Sequence, residues 1–570
     1  MLSKIKLIFK NHKWAIFLAA ITGIIIAYPQ IYLRWDLGDS YQGIGLMGAS
    51  DDESAWMSRV KEVQDGHPTF SSLHFKDGKN DPYLFQPLGT MMVAYLGELF
   101  SLDINDTILL SRLFFPFLLY LIIYAFIFFF TKEKLISLSI PSVLLLAISI
   151  FNRGATLKPY YLLLTRPVNP AMTWIFFFGF LLFFWLFVER KQWRWGILSA
   201  LMLGLSFYDF LYTWTFLYAF CGVLVLIFLC QKKWQDIKRI AIVLSGSVLI
   251  AIPYFINLYR AAVYPTFGEV GQRAGLMDGR ELSMGILPPM LFVIFLIFFP
   301  RNWKERYSFA FALAITPFVV LNQQLITGKA LSPSHYHWYY HKPLALIFSL
   351  IIIFSFLSLR KWQFTKKTLA IFLIIVSISL GIFVQSISYA DSKSEIIRIQ
   401  KYGPVIDWLD ENSNKEEVVF SNDKIANFIV THTSLNVFYH HSAKFSLSAT
   451  TERLMNTFFL YYRLDGVSEA QAKDIFFKDR ADISWAIYGI YYRDLFGEYE
   501  NIPDEVILDL VRRYQESFVA ATPDLFKEML QKYEVKYLVW DKKSNPLWRL
   551  DQYPFLKKVA EIGEFSIYAR

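Results

Sequence analysis

The chain has 570 residues, of which 55% are hydrophobic and only 18% charged. The apolar residues occur in blocks of about 20, the length that crosses the hydrocarbon core of a bilayer. This pattern excludes a soluble enzyme, a disordered scaffold and a disulfide-stapled secreted domain. The net charge of +9 is weak evidence for nucleic-acid binding, because the location of charge matters more than its sum.

The apolar blocks predict a polytopic α-helical membrane protein with about eleven spans. The first block follows a basic segment and continues through Pro29 without a small-residue cleavage site, so we interpret it as an uncleaved anchor. The predicted spans are 14–33, 107–130, 135–151, 168–188, 194–208, 210–230, 238–258, 284–300, 307–327, 342–359 and 368–390.

Lysine and arginine predict the orientation of these spans. With a cytoplasmic N-terminus, the inner segments hold more than twice as many of them as the short outer loops, as the positive-inside rule requires. We therefore expect an integral protein of the plasma (cytoplasmic) membrane with a cytoplasmic N-terminus. Much of the positive charge then reports topology, and no nucleic-acid partner is expected.

An odd number of spans places two long segments on the outer side. The first loop, 34–106, contains the amphipathic stretch 90–99, which is too short to span and predicts an interfacial helix. The C-terminal region, 391–570, alternates strand-like and helix-like runs and predicts an extracytoplasmic α/β domain. The membrane domain is thus predicted to end at residue 390.

The first loop is rich in acidic residues. Asp36 follows the first span, and Asp51, Asp52 and Glu53 begin a predicted helix. On that helix Asp52 shares a face with apolar residues and with Arg59. The simpler interpretation is a helix N-terminus with an Asp–Arg surface pair. The functional interpretation is an acid at the outer mouth of the bundle.

Polar residues gather at three further outer positions, where they are expensive and therefore informative. Arg166 lies at the mouth of a span and is interpreted either as a snorkelling side chain or as a phosphate contact. The second position contains 322–324, Lys329, and then His335 and His337 among aromatic residues. The third is the pair Tyr208 and Asp209. The two histidines could ligate zinc, but the interfacial aromatic belt is the more common explanation of such a segment.

Acids, cations and aromatic side chains at the outer mouth of a helical bundle suit a substrate with a lipid tail and a polar head. Sugar transfer from a polyprenyl phosphate is one such reaction. Its leaving group is a phosphate and needs no general acid, so one carboxylate as base and one cation on the phosphate suffice.

Several features resemble the GT-C superfamily of integral-membrane glycosyltransferases. They are the Asp52-Glu53 pair, the helix that follows it with Arg59, the turn at 66–68 and the segment 86–88, together with the topology of 1–390. The pair is similar to that of the protein-mannosyltransferase and aminoarabinose-transferase branches. Gln86 departs from the branch, which often has a basic residue there. The stretch from Asp36 to Asp51 is also longer than the branch leads us to expect, so Asp36 or Asp39 could compete with Asp52 as the base.

The resemblance implies that Asp52 is the catalytic base and Glu53 its neighbour or a metal ligand. Some members of the superfamily bind a divalent ion, and Asp51, Asp52 and Glu53 could together hold Mg²⁺ or Mn²⁺. Our own inference from position assigns Arg166, Lys329 and Arg59 to the donor phosphate. The expected contacts to the sugar or acceptor are Asp36, Tyr208, Asp209, His335 and His337.

The expected partners are a polyprenyl-phosphate sugar, the lipid bilayer, and an acceptor that is a glycan, a lipid or a protein. The main alternative is a transporter or flippase of lipid-linked sugars, which usually has polar groups near the membrane midplane and repeated halves. A scaffold that merely binds cell-wall material is a third interpretation, and it leaves the acidic helix without a role.

Overall fold

The computed structural model describes residues 2–48, 52–147, 160–300, 303, 305–489, 502–519 and 523–570. Up to residue 399 the chain is almost entirely helical, with one short two-stranded ladder. Its strands are β1 (Met277–Asp278) and β2 (Lys329–Ala330). The helices are α1 (Leu2–Leu37), α2 (Glu53–Gln64), α3 (Leu88–Leu99), α4 (Ile104–Thr131), α5 (Lys134–Leu146), α6 (Ala171–Arg190), α7 (Trp193–Ser206), α8 (Leu211–Cys230), α9 (Trp234–Ala262), α10 (Phe267–Arg273), α11 (Leu287–Phe298), α12 (Glu305–Leu321), α13 (Gln324–Thr327), α14 (Pro333–Tyr336), α15 (Lys342–Leu359) and α16 (Gln363–Ile399).

A helix lies at each of the eleven positions predicted to be a span, although the end of the third, 148–151, is outside the described residues. Within the described part of the chain, seven helices are long and apolar enough to cross a membrane, and two further apolar helices, α5 and α11, are shorter. The membrane class is therefore confirmed. The number eleven stays a prediction.

The bundle is organised around α6, whose side chains are buried along almost the whole helix. Helix α4 packs between α1 and α6, and α16 closes the bundle against α1 and α5. Between α14 and α15 the chain makes a five-residue π-helix, His337–His341. Such wide turns are uncommon and occur frequently at functional sites.

The first loop contains the two predicted helices. Helix α3 begins where the backbone N–H of Leu88 donates to the carbonyl of Tyr208 at 2.8 Å, which ties the loop to the turn between α7 and α8. Helix α2 begins directly after Asp52, and it packs against the C-terminal domain. The loop is therefore held between the membrane bundle and the outer domain.

The C-terminal domain is an α/β unit, as predicted. Its five-stranded sheet has the order β4-β3-β5-β7-β6, in which β3 pairs parallel with β4 and β5, and β7 pairs antiparallel with β5 and β6. The strands are β3 (Val418–Phe420), β4 (Asn436–Val437), β5 (Val535–Asp541), β6 (Lys557–Ile562) and β7 (Phe565–Ala569). The helices are α17 (Gly403–Asn412), α18 (Asp423–His432), α19 (Thr451–Leu464), α20 (Ala472–Lys478), α21 (Arg480–Tyr488), α22 (Asp504–Val519) and α23 (Pro523–Lys532).

The connection between the two halves is a continuous helix. Helix α16 runs through the predicted boundary at residue 390, and its outer part is clamped to the end of α1. There Asp36 accepts a hydrogen bond from the Tyr389 hydroxyl at 2.8 Å and pairs with Lys393 at 2.8 Å. This places Asp36 in a contact between the first and last long helices.

Candidate functional site

The site is centred on Asp52, the residue that immediately precedes α2. Its carboxylate forms an ion pair with the guanidinium of Arg166, which also donates to the Tyr339 hydroxyl at 3.2 Å. The Asp52 side chain is 57% exposed and that of Arg166 is 19% exposed. The pair therefore forms an accessible acid–cation group where the first loop meets the ends of the helices.

Three separate segments position this group. Arg166 follows a single helical turn, 163–165, just before α6. Tyr339 lies in the π-helix, and its carbonyl accepts a hydrogen bond from the buried indole N–H of Trp174 at 2.8 Å. The site is thus built from the first loop, the segment before α6 and the π-helix, which are far apart in sequence.

Glu53 faces the opposite way from Asp52, into the protein. It is 1% exposed and accepts a hydrogen bond from Arg112 of α4 at 2.5 Å and one from the backbone N–H of Met47 at 3.0 Å. Arg112 also donates to the Gln30 side chain at 2.7 Å and to the Thr165 carbonyl at 2.7 Å. Because Thr165 precedes Arg166, this buried network fixes both halves of the Asp52–Arg166 pair.

Arg59 of α2 lies among aromatic rings. Its guanidinium is 4.8 Å from the Trp56 ring, 4.6 Å from that of Phe85 and 5.9 Å from that of Phe70. Burial lowers the pKa of Arg59 to about 10, and the charge of Asp52 partly offsets this effect. It remains a cation at neutral pH and is held by cation–π contacts.

An aromatic wall adjoins Arg166. The His335 ring stands 4.5 Å from that of Tyr212 and 5.7 Å from that of Phe210, and Phe210 also contacts Tyr339 at 5.3 Å. His335 is close enough to feel the charges of both Arg166 and Asp52. This predicted contact residue is therefore placed beside the acid–cation group.

Asp209 is buried in the turn between α7 and α8, against the first turn of α3. It is 4% exposed, and a Cβ on Gly89 would approach its Oδ1 to 2.8 Å, so only glycine fits there. Neither carboxylate oxygen accepts a hydrogen bond of regular geometry from the described residues. Burial raises the pKa of Asp209 to about 7.

The remaining predicted residues have contacts of their own. The Tyr208 hydroxyl donates to the Ile250 carbonyl at 2.8 Å, Lys329 pairs with Asp278 at 2.5 Å in the β1–β2 ladder, and His337 makes edge contacts with Trp338 and His341. Lys329 is 52% exposed, and its partner is 81% exposed. No contact among the described residues joins Lys329 or Asp36 to Asp52, so their assignment stays a prediction.

The first-loop acids do not form an oxygen cage in this conformation. Asp51 lies outside the described residues, and Asp52 and Glu53 are paired with different arginines. A Mg²⁺ or Mn²⁺ site at this position therefore remains a prediction. The described residues contain one other group with metal-ligand chemistry, Asp423, His440 and His441 of the outer domain, whose ligand atoms all lie within 4.8 Å of one another.

Sequence reasoning missed Arg112 and Tyr339. Arg112 could have been found, because an arginine nine residues into an apolar span is costly unless it has a buried partner. Tyr339 carries no such signal, since interfacial tyrosines are common. The outer-domain group 423, 440 and 441 was also missed, because its members are brought together only by the sheet.

The arrangement of the helical bundle, the first loop and the C-terminal α/β domain is similar in fold to a solved structure, in agreement with the fold that the sequence resemblance predicts. ArnT from Cupriavidus metallidurans, solved with undecaprenyl phosphate bound, aligns over 98% of this chain and 98% of its own, with a TM-score of 0.50 and 11% identity. The archaeal oligosaccharyltransferase AglB from Archaeoglobus fulgidus, solved with an inhibitory peptide and a dolichol-phosphate, aligns over 98% of this chain and 74% of its own, with a TM-score of 0.45 and 12% identity. No family model and no curated protein sequence matches the chain.

Proposed function

We propose that this protein transfers a sugar from a polyprenyl-phosphate donor to an acceptor at the outer face of the plasma membrane, with inversion of configuration. The observation that carries the proposal is the accessible pair of Asp52 and Arg166 at the outer mouth of the bundle. It combines the two chemical groups that the reaction needs, a base and a cation. The undecaprenyl phosphate bound to ArnT supports the same class of donor lipid.

Arg166 would bind the donor phosphate. A guanidinium donates two parallel hydrogen bonds to a phosphate and keeps its charge at all physiological pH values. The Tyr339 hydroxyl accepts a hydrogen bond from the Arg166 guanidinium and helps to hold it in place. The buried network of Arg112 and Glu53 fixes the backbone beside Arg166. Arg59, a second cation near the same acid, would add positive potential for the phosphate.

Asp52 would act as the general base. It removes the proton from the acceptor hydroxyl as that oxygen attacks the anomeric carbon, and the bond from this carbon to the phosphate oxygen breaks. Attack from the face opposite the leaving phosphate inverts the anomeric centre. The phosphate leaves as an anion stabilised by Arg166, so the step requires no general acid.

The decisive experiment measures product formation with purified protein in nanodiscs. A panel of polyprenyl-phosphate sugars and an extract of membrane glycans, lipids and proteins serve as donors and acceptors, and mass spectrometry detects a new glycosidic bond. Asp52→Asn should abolish the product. Asp551→Asn, which removes an exposed carboxylate from an ion pair with Arg549, is the matched control and should retain it.

Two outcomes contradict the proposal. Product formation by Asp52→Asn at the wild-type rate removes Asp52 as the base. Movement of lipid-linked sugar across vesicles without any new glycosidic bond would instead establish the transporter. The same assay with EDTA, and with added Mg²⁺ or Mn²⁺, tests whether the transfer depends on a divalent metal ion.

A further inference from the structure

The outer domain presents one tryptophan with an open surface. Trp485 of α21 is 38% exposed, and the amine of the fully buried Lys444 lies 3.1 Å from the centre of its ring. The same amine donates to the Trp485 carbonyl at 2.9 Å. Lys444 therefore covers one face of the indole and holds the backbone of α21 at this residue.

A histidine–aspartate pair adjoins this tryptophan. The His441 ring is nearly parallel to the indole, with centroids 5.8 Å apart. Asp423 accepts hydrogen bonds from the His441 backbone N–H at 2.9 Å and from its Nδ1 at 3.2 Å. With Nδ1 bonded to Asp423, Nε2 is the ring nitrogen left to bond a ligand.

Both members of the pair are accessible. The Asp423 side chain is 43% exposed and that of His441 is 21% exposed. Within the described residues, Nε2 of His441 makes no hydrogen bond. A flat apolar surface, an acceptor nitrogen and a carboxylate therefore stand side by side.

His440, which with Asp423 and His441 forms the group that could hold a metal ion, already makes hydrogen bonds to other residues. Its Nδ1 accepts a hydrogen bond from the backbone N–H of Ser442 at 3.0 Å, its Nε2 bonds the Asn427 side chain at 2.7 Å, and its side chain is fully buried. A metal ion would have to break one of these bonds. The groups that remain for a ligand are those of Trp485, His441 and Asp423.

The patch formed by Trp485, His441 and Asp423 is linked to the candidate active site by a short chain of contacts. Phe445, next to Lys444 in sequence, packs edge-on against Phe85 at 5.7 Å, and Phe85 in turn contacts the Arg59 guanidinium at 4.6 Å. The proposed donor is anchored in the bilayer by its lipid. A ligand that binds the C-terminal domain, a few contacts from Asp52, would therefore be the acceptor and not the donor.

We propose that Trp485, His441 and Asp423 form a subsite for a sugar unit of the acceptor, and hence that the acceptor is a saccharide. A pyranose has an apolar C–H face that packs on an indole and a rim of hydroxyl groups that match an imidazole nitrogen and a carboxylate. Aromatic surface with a few placed polar groups is the usual composition of a small-ligand site. The inference rests on the proposed glycosyl transfer and names the class of its acceptor.

Binding to a printed glycan array tests the subsite without requiring catalysis. Full-length protein in nanodiscs is applied as the wild type, Trp485→Ala, Trp485→Phe and Leu547→Ala. Leu547 is an apolar residue of the same domain, 60% exposed, and serves as the matched control. Melting temperatures of all four proteins verify that they are folded.

We expect the wild type to retain a restricted set of glycans, and Trp485→Ala to bind them about tenfold more weakly, the loss that follows from about 1.4 kcal/mol of contact energy. Trp485→Phe, which keeps a smaller aromatic face, should bind with intermediate strength, and Leu547→Ala should match the wild type. Absence of glycan binding by the wild type, or equal binding by wild type and both Trp485 variants, overturns the proposal.

A second arm tests the metal alternative with ZnCl₂. Zinc that raises the melting temperature of the wild type but not of Asp423→Asn, in a protein that binds no glycan, would identify a metal site instead. Glycan binding through Trp485 in a protein that forms no product would refute the transferase but leave the subsite standing. Product formation that does not depend on Trp485 would support the transferase and refute the subsite.

Discussion

Replacing the proposed base should strengthen, not weaken, the binding of the donor lipid. In the structure Asp52 already occupies Arg166, the cation that is proposed to hold the phosphate. A phosphate must therefore compete with this carboxylate for the guanidinium. Asp52→Asn removes the competing charge and keeps the size of the side chain.

The size of the effect follows from Coulomb's law. A phosphate bound to Arg166 would lie about 5 Å from the Asp52 carboxylate, and two unit charges at that distance repel by about 0.8 kcal/mol in water and about 3 kcal/mol at an effective dielectric constant of about 20. Because the Asp52 side chain is 57% exposed, the lower end applies. An effect of about 1 kcal/mol tightens binding about fivefold.

Native mass spectrometry or microscale thermophoresis with decaprenyl phosphate measures this affinity in nanodiscs. Asp52→Asn should show a dissociation constant about fivefold below that of the wild type, and Arg166→Gln should bind more weakly than the wild type. Asp551→Asn, which removes an equal charge at an exposed ion pair with Arg549 of the C-terminal domain, should show no change. The difference should shrink at high salt, since exposed charges are screened.

One result refutes this reasoning. Equal or weaker binding by Asp52→Asn would mean that Arg166 is not the phosphate ligand, or that Asp52 does not compete for it. The measurement requires no acceptor and no catalysis. It therefore examines the donor site independently of product formation.

Three further predictions concern stability. Arg112→Met should lower the free energy of unfolding by about 3–5 kcal/mol, because it leaves the Glu53 carboxylate buried without its cation. In thermal melts, adding Glu53→Gln should restore part of this loss. Additive losses from the two substitutions would contradict the pairing. The pKa of Asp209, raised to about 7, lies above its unfolded value, so folding favours the acid form and stability falls as pH rises from about 4 to 7. Asp209→Asn should remove this slope and raise the free energy of unfolding at pH 7.5 by up to about 4 kcal/mol, which thermal melts across this pH range would measure. The pKa of Lys444, lowered by burial to about 7, lies below its unfolded value. The unfolded chain therefore binds more protons, and stability rises between about pH 7 and 10. Thermal melts of Lys444→Met should show a weaker rise of stability with pH, and an unchanged slope would contradict the burial of this amine.

The helices and their order were predictable because their signals are local. About 20 consecutive apolar residues suffice to define a span, and each of the eleven predicted positions carries a helix. Short apolar runs at 418–420, 535–540 and 565–568 predict strands by the same local criterion, and β3, β5 and β7 lie there, whereas β6, which is mostly exposed, was not predicted. Strand β4, only two residues long, was missed because its pairing partner, not its composition, creates it.

The partner of Asp52 could not be predicted in this way. The sequence favoured Arg59 on the same helix face, but seven residues place two side chains about 10 Å apart along the axis, too far for an ion pair. The structure pairs Asp52 with Arg166 instead, and Arg59 packs among aromatic rings. The contact joins residues 114 positions apart, and no periodicity in the sequence encodes such a contact.

The sequence by itself determined the membrane class of this protein and the positions of its helices, and it predicted an outer loop that contains Asp52. These properties follow from transfer free energies and helical spacing, which act over neighbouring residues. The tertiary structure decided which arginine faces which acid, that Glu53 is buried against Arg112, and that the outer domain brings Trp485 and His441 together. Such contacts depend on how distant segments pack, because each buried charge must find its partner wherever the fold supplies one.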